Sequence, residues 1–404
     1  MVNFGRFTEK FPRIAAFCGA VLLALTGASG YYAHSLPDRI YTRADGVSAE
    51  TALLPLSLHP ENGADSHAAE LRLFGMIPVK RVSVVPLEQT EVCLGGEPFG
   101  IRMLMAGAMV VSLGSVKTAA GEVTPAADAG IAVGDILQTV NGKPVTGSRD
   151  LQEAVAESAG KPVQVTLLRG DSQLAVQVQP AYAALLNRWQ TGMWVRDSTA
   201  GIGTVTYYTA GENDSVQFAG LGHPVCDADT GGPIPLASGD VAAVDVTEVT
   251  KGTAGKPGAL HGRFDRSADT GTLLANTACG VFGEMTHLPD KQIMLPLGLS
   301  QEIRRGEAEI WSTLKGTSPQ RYTVEIEEIR RNDPSMRDLV IHVTDERLLE
   351  AAGGIVQGMS GSPIVQDGRL VGAVTHVFVK DPTRGYGIFA ENMYAESTEP
   401  LLAA

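Results

Sequence analysis

Cysteine is scarce: the 404 residues hold four, of which Cys18 lies in an apolar N-terminal run, leaving Cys93, Cys226 and Cys279. An odd set cannot all pair within one chain, so no disulfide framework is implied. Cys226 and Cys279 are expected to be buried as small hydrophobes. There is no CxxC and no HExxH, which removes the common zinc frameworks and argues against an intramembrane metalloprotease. Positive charge is short as well, with 32 Lys and Arg against 45 Asp and Glu, a formal net charge of -13. Such a chain repels phosphate backbones, and no dense basic patch reverses this locally, so nucleic acid is not an expected partner. Internal repeats of roughly 20–50 residues and low-complexity tracts are also missing.

What is present is a turn-rich globular composition: 44% hydrophobic and 19% charged residues with 46 Gly and 22 Pro. At this length two domains are expected, leaning towards β structure. The chain starts with Arg6, Lys10 and Arg13, followed by an uncharged stretch from Ile14 to Ala33. That pattern is an export or anchoring signal spanning 1–33. A spanning helix needs about 20 apolar residues, a length reached only if SGYYA is counted. A cleavable signal with a site at Thr26-Gly27-Ala28 and an uncleaved anchor with Tyr31 and Tyr32 at the interface both stay open, the anchor being preferred. Residues beyond about 35 then face outward. Residues 34–95 read as a polar linker and a β-like lead-in, the linker being a ready target for proteolysis.

Over residues 96–180, strand-like runs surround AADAGIAVGDILQTVNGKPV, with a tight turn at Asn141-Gly142 and one amphipathic helix. This segment resembles a PDZ domain of the bacterial type. The resemblance implies a peptide added as an extra strand beside the helix, its end received near Phe99, Gly100 and Ile101, with Leu151 and Val155 on the helical wall. Those two apolar residues fit a simple core role equally well.

Residues 185–400 change to short β-like runs broken by Gly and Asp, such as GIGTVTYYT, DVAAVDVTEVT and YTVEIEEI. Closely spaced runs with turn signals predict antiparallel barrels or a sandwich. Between two apolar strands stands Gly358-Met359-Ser360-Gly361-Ser362-Pro363. In a β context this resembles the nucleophile turn of chymotrypsin-like serine peptidases. Acyl transfer needs an exposed hydroxyl beside backbone N–H groups aimed at the oxyanion, and small residues let the substrate approach. Ser360 is the candidate nucleophile, and the Gly358 and Ser360 amides are the candidate oxyanion donors. A serine needs a base. His223, at the end of an apolar run in FAGLGHPVCDADTG, is the candidate, with His287 and His342 weaker alternatives and His34, His59, His67 and His261 expected in solvent.

With the N-terminal segment and the PDZ-like module, GHPVCDADTG and GIVQGMSGSPIVQDGRLVGAVTHVFVKDPTRGYGI resemble the sporulation stage IV B peptidase family from residue 80 onward. The resemblance implies a mainly β fold, a PDZ domain followed by a chymotrypsin-like double β-barrel serine peptidase that uses no cofactor or metal. It also implies export to the space between forespore and mother-cell membranes and self-cleavage near the N-terminus. The implied substrate is a membrane-bound regulator of an intramembrane protease complex, whose cleavage leads to release of a late sigma factor. Other partners would be the enzyme's own N-terminal segment, a PDZ peptide ligand and the membrane. The family pattern places the third triad member at Asp345, with Asp245 a rival by chymotrypsin-like order. Asp227 and Asp229 read as turn formers. His376, beyond the nucleophile turn, could donate to a polar P1 side chain from the wall of the specificity pocket, or be a core histidine. The competing readings are a membrane-attached PDZ adaptor with a degenerate peptidase barrel and an HtrA-like quality-control protease, although the latter carries its peptidase before the PDZ domain.

Overall fold

The computed structural model describes residues 90–398 apart from 212–214 and 290, together with 68–86, 56–60 and a few positions between 19 and 42. Arg6, Lys10, Arg13, Tyr31 and Tyr32, and most of the apolar segment around them, lie outside the described residues. Among the described residues no helix is long and apolar enough to cross a membrane. Part of the expected linker is ordered: Arg39–Thr42, Ile77–Pro86, Ala68–Leu73 and Leu56–Pro60 lie side by side in that order as one sheet. Its AAELRL strand alternates, so Ala69, Leu71 and Leu73 share the buried face.

The PDZ module uses β1 (Pro98–Leu113), β2 (Ile136–Val140), helix α1 (Ser148–Glu157), β3 (Val163–Arg169) and β4 (Ser172–Val178). Asn141 and Gly142 both take positive φ, +50° and +77°, as a tight turn after β2 demands. Helix α1 has Leu151, Ala154 and Val155 at helical spacing, and these pack into a core with Val163, Val165 and Leu167.

Only the second half of β1 belongs to this module, through Ala108↔Leu137 and Met109↔Ile136. The first half is built into a barrel. Strands β5 (Met193–Ala210), β6 (Val216–Gly220), β7 (Leu236–Thr250), β8 (Ala259–Thr277) and β9 (Gly280–Met285) follow in the chain. Pairing runs β1-β7-β8-β9-β6-β5, and β5 returns to β1, which closes the ring. Phe99, Ile101, Met103, Val205, Phe218 and Val241 fill it. A second closed barrel comprises β10 (Gly306–Ser312), β11 (Gln320–Ile329), β12 (Leu339–Val343), β13 (Pro363–Gln366), β14 (Arg369–Phe378) and β15 (Asp381–Phe389). Helix α2 (Glu346–Ala352) joins β12 to the nucleophile turn, and helix α3 (Ala390–Thr398) follows β15. Ile310, Val324, Ile341, Ile364 and Val374 form the core of this second barrel.

This arrangement corrects the expected peptide pocket. Phe99, Gly100 and Ile101 are paired on both edges, to Gly203, Ile202 and Gly201 of β5 and to Ala243, Ala242 and Val241 of β7. A strand with both edges taken cannot accept a peptide by strand addition. Phe99 packs edge-on against Phe218, ring centroids 5.4 Å apart, and a Cβ at Gly100 would run into the Phe264 ring. Leu151 and Val155 are buried in the PDZ core, which leaves them no surface for a ligand.

Candidate active site

The nucleophile turn lies where the two barrels meet, and β5 holds it. Thr204 donates its N–H to the Ser360 carbonyl at 2.9 Å and its hydroxyl to the Gly358 carbonyl at 2.9 Å. Thr206, on the same side of the strand two residues on, donates its hydroxyl to the Gly361 carbonyl at 2.8 Å. From the other side the Gly361 N–H reaches the Val374 carbonyl at 2.7 Å, and the Val374 N–H reaches Ser362 at 2.9 Å. Gly358 and Gly361 have φ of +98° and +94°, the left-handed region that glycine enters without strain. The Met359 and Ser362 amides bond Val356 and Met359 carbonyls, whereas the Gly358 and Ser360 amides donate to no backbone carbonyl among the described residues. Two unengaged N–H groups flanking a serine are what an oxyanion site requires.

Ser360 is half-buried, and its hydroxyl donates to the Thr375 carbonyl at 2.7 Å. His376 follows, and its ring lies over that of His223, centroids 4.5 Å apart and planes at 35°. His223 stands on a turn after β6 where Leu221 and Gly222 both take positive φ. That turn touches the nucleophile strand: a Cβ at Gly222 would come within 3.0 Å of the Thr375 methyl carbon. Thr375, whose carbonyl takes the Ser360 hydroxyl, and His376, whose ring lies over His223, thus stand between the serine and the His223 turn.

The His223 Nδ1 is 2.8 Å from the Pro224 carbonyl. A carbonyl only accepts, so Nδ1 carries the proton and Nε2 keeps its lone pair. Burial lowers the His223 pKa below its ordinary 6.5, the Pro224 bond opposing in part, so the ring is neutral at pH 7. His376 is exposed at its surface. Loss of hydration around its ring nevertheless brings its pKa to about 4, with His223 and Arg337 pushing the same way. Both histidines line a cavity of about 330 Å³ with Ile101, Thr199, Ile202, Leu221 and Cys226. A larger cavity of about 660 Å³ lies between Thr118–Asp128 and Gln177–Ala184, away from both histidines and the serine.

The structure does not bring Asp345 to His223. Its carboxylate caps α2, accepting from Arg347 N at 2.9 Å, and also takes Thr323 N at 3.2 Å and the Arg347 guanidinium at 2.8 Å. The Arg347 side chain, against some desolvation, holds the Asp345 pKa down at about 2. Asp245 is exposed on β7 opposite Arg263. His287 is exposed, His342 lies 3.6 Å from Glu327, and His261 bonds the Thr250 hydroxyl at 2.7 Å. Asp227 forms a turn as expected, accepting from Asp229 N and Thr230 N. Cys279 is buried as expected, but Cys226 is exposed in the cavity, because it sits in the loop between β6 and β7, in an isolated bridge with Pro233, outside the barrel core. Among the described residues no group of three His, Cys, Asp or Glu could hold a metal. Sequence reasoning missed Thr204, Thr206 and the Pro224 carbonyl. Their one advance signal is the Thr-x-Thr spacing, which places two hydroxyls on one face of a strand.

Two family models match the chain: SpoIVB peptidase S55 over residues 187–394 and a PDZ domain over residues 98–179. No curated protein matches. Among solved structures, the PDZ domain of the SdrC-like protein from Listeria monocytogenes is 20% identical, covering 22% of this chain and 87% of its own, at a TM-score of 0.18. The Rv3671c protease from M. tuberculosis in its active form is 15% identical, covering 49% of this chain and 72% of its own, at a TM-score of 0.27. Its inactive form is 15% identical, covering 48% and 81%, at 0.26.

Proposed function

The chain belongs to the SpoIVB peptidase S55 family and carries a PDZ domain, which makes it a serine peptidase, and we propose that it works through Ser360 as nucleophile and His223 as base. The observation that carries this reading is the pair of unengaged amides, Gly358 and Ser360, beside a serine bonded to the Thr375 carbonyl, next to His376, whose ring lies over the half-buried His223. In the reaction the Ser360 hydroxyl leaves the Thr375 carbonyl and gives its proton to His223 Nε2 as its oxygen attacks the scissile carbonyl. The two amides receive the oxyanion, and His223 passes the proton to the leaving amine. Water, activated by the same imidazole, then hydrolyses the acyl-enzyme. The Pro224 carbonyl fixes the imidazole tautomer here, the task for which Asp345 was the expected residue. In this reading His376, whose ring lies over that of His223, would contact a P1 side chain.

The physiological substrate in this reading is a membrane-bound regulatory protein outside the cytoplasm whose cleavage leads to sigma-factor activation during sporulation. The enzyme would be exported, held by residues 1–33, and freed by self-cleavage within 34–70; the PDZ module would bind a substrate tail or the enzyme's own N-terminal segment. The charge pattern at the N-terminus and the family membership support this assignment. The test compares the full chain with Ser360→Ala, following N-terminal fragments by mass spectrometry. Fragments cut between 34 and 70 from wild type alone are expected, and identical patterns from both proteins would sink the reading.

A further inference from the structure

We propose that Arg196 is a positioning residue for His223 and that, with its neighbour Asp197, it couples PDZ helix α1 to the catalytic loop; this rests on His223 being the base. The loop from Pro224 to Gly232 is one closed unit. Asp227 N reaches the Gly232 carbonyl at 2.9 Å, Gly231 N reaches the Asp227 carbonyl at 2.8 Å, and Asp227 Oδ1 accepts from Asp229 N at 3.0 Å and Thr230 N at 2.9 Å. Two side chains clamp this unit from outside. Asn276 on β8 accepts from Val225 N at 2.8 Å and donates to the Val225 carbonyl at 3.0 Å. Arg196 on β5 forks onto both acids, Nη1 to Asp227 Oδ2 at 2.5 Å and Nη2 to Asp229 Oδ2 at 2.6 Å.

The Asp227 side chain is wholly buried, so removing the guanidinium leaves the carboxylate without its counter-charge, held only by the Asp229 and Thr230 N–H groups on Oδ1. It must then take up a proton or draw the loop outward, and His223 moves with the loop. Asp197 is the next residue, at the irregularity where the β5–β1 register shifts between Arg196 and Ser198. Its carboxylate lies at the N-terminal end of α1, Oδ2 3.4 Å from Ser148 N, in space that a Cβ on Gly147 would fill. Negative charge at that helix end is favourable. The same strand goes on to line the cavity at Thr199–Ile202 and to hold the nucleophile turn at Thr204. A shift of α1 against Asp197 is thus carried by one residue of backbone to the fork that holds the His223 loop.

The ion pair of Asp135 with Arg169 is a natural control. It too joins a buried carboxylate to a half-exposed guanidinium at 2.7 Å, and it lies within the PDZ module. The experiment measures fluorophosphonate labelling of Ser360 by mass spectrometry on the full chain, with Ser360→Ala as blank, alongside thermal unfolding. Arg196→Met should lower the limiting labelling rate at least about tenfold while the half-saturating phosphonate concentration holds. Arg196→Lys should recover part of the rate, Asp197→Asn should lower it about threefold, and Arg169→Met should leave it within about twofold. Should Arg196→Met fail to fold, Asp229→Asn, which takes one negative charge from the fork, should still lower the rate about threefold. Absence of Ser360-dependent label in wild type overturns the catalytic reading itself. Robust wild-type labelling with an unchanged rate in Arg196→Met, or an equal loss in Arg169→Met, overturns only the role given to Arg196, and an unchanged Asp197→Asn overturns the link to α1.

Discussion

Replacing Gly361 by alanine should separate the two reasons for a glycine beside the nucleophile. A Cβ at Gly361 would sit 1.9 Å from the Thr204 carbonyl oxygen and 2.5 Å from Leu221 N, where contacts under 3.0 Å are essentially never seen. The turn must therefore withdraw from β5 by at least 1.1 Å (3.0 − 1.9). That movement opposes the bonds from Thr204 N to Ser360, from Thr206 to Gly361 and from Gly361 N to Val374. With about 1–2 kcal/mol for a side chain in the left-handed region and about 1 kcal/mol for each of the three weakened bonds, the loss is about 4–5 kcal/mol. A nucleophile misplaced by about 1 Å loses roughly 100-fold in rate. Gly368 is the control: it has a φ of +71° but nothing within 4 Å of an added Cβ. Gly368→Ala should bring only the conformational cost, about 1–2 kcal/mol, with Ser360 labelling intact. Thermal unfolding and phosphonate labelling on both variants decide the matter. Labelling of Gly361→Ala within about threefold of wild type, or an equal loss in Gly368→Ala, would refute the close-approach argument.

Two further outcomes follow from the titrating groups. His223 must be neutral to accept the Ser360 proton, and burial favours its neutral form. The acid limb of kcat/KM should therefore lie below the ordinary 6.5, with His376, already neutral above about 4, leaving the limb to His223; a limb at or above 6.5 would contradict the buried base. For Asp345, a capping role predicts that Asp345→Asn keeps labelling within about threefold, because Asn caps as well as Asp, while Asp345→Ala costs about 1 kcal/mol of stability. A rate loss of about 10⁴ in Asp345→Asn would instead seat that carboxylate in the triad.

What was legible in the sequence was local. The turn around Ser360 could be read because its demands on backbone, glycine on either side and strands beyond, are met within a few residues. AADAGIAVGDILQTVNG declared its module for the same reason, with Asn141 and Gly142 in the turn their dipeptide favours. Asp345 shows the limit of spacing as evidence: its place ahead of the serine fitted a triad, yet an Asp opening ERLLEAA also carries a helix-cap signal, and the cap is where the carboxylate resides. Partner choice in sheets was not legible, because a strand pattern fixes which face is buried and says nothing about which strand lies alongside.

β1 is the clearest case of that limit. Residues 99–104 and 108–113 carry similar apolar patterns, but the first group pairs with β7 and β5 inside the barrel, and the second pairs with β2 and the start of β5. Gly107, at a φ of +116°, marks the change between them; a Cβ there would meet the Leu137 carbonyl. A boundary drawn at about 180 from changes of texture therefore divides two regions that share a strand at one end and β5 at the other. A PDZ module joined through a flexible linker could influence catalysis only by raising the local concentration of a peptide. One whose first strand completes the peptidase barrel, and whose neighbouring strand fastens both the His223 loop and the Ser360 turn, can act on catalysis through backbone geometry itself.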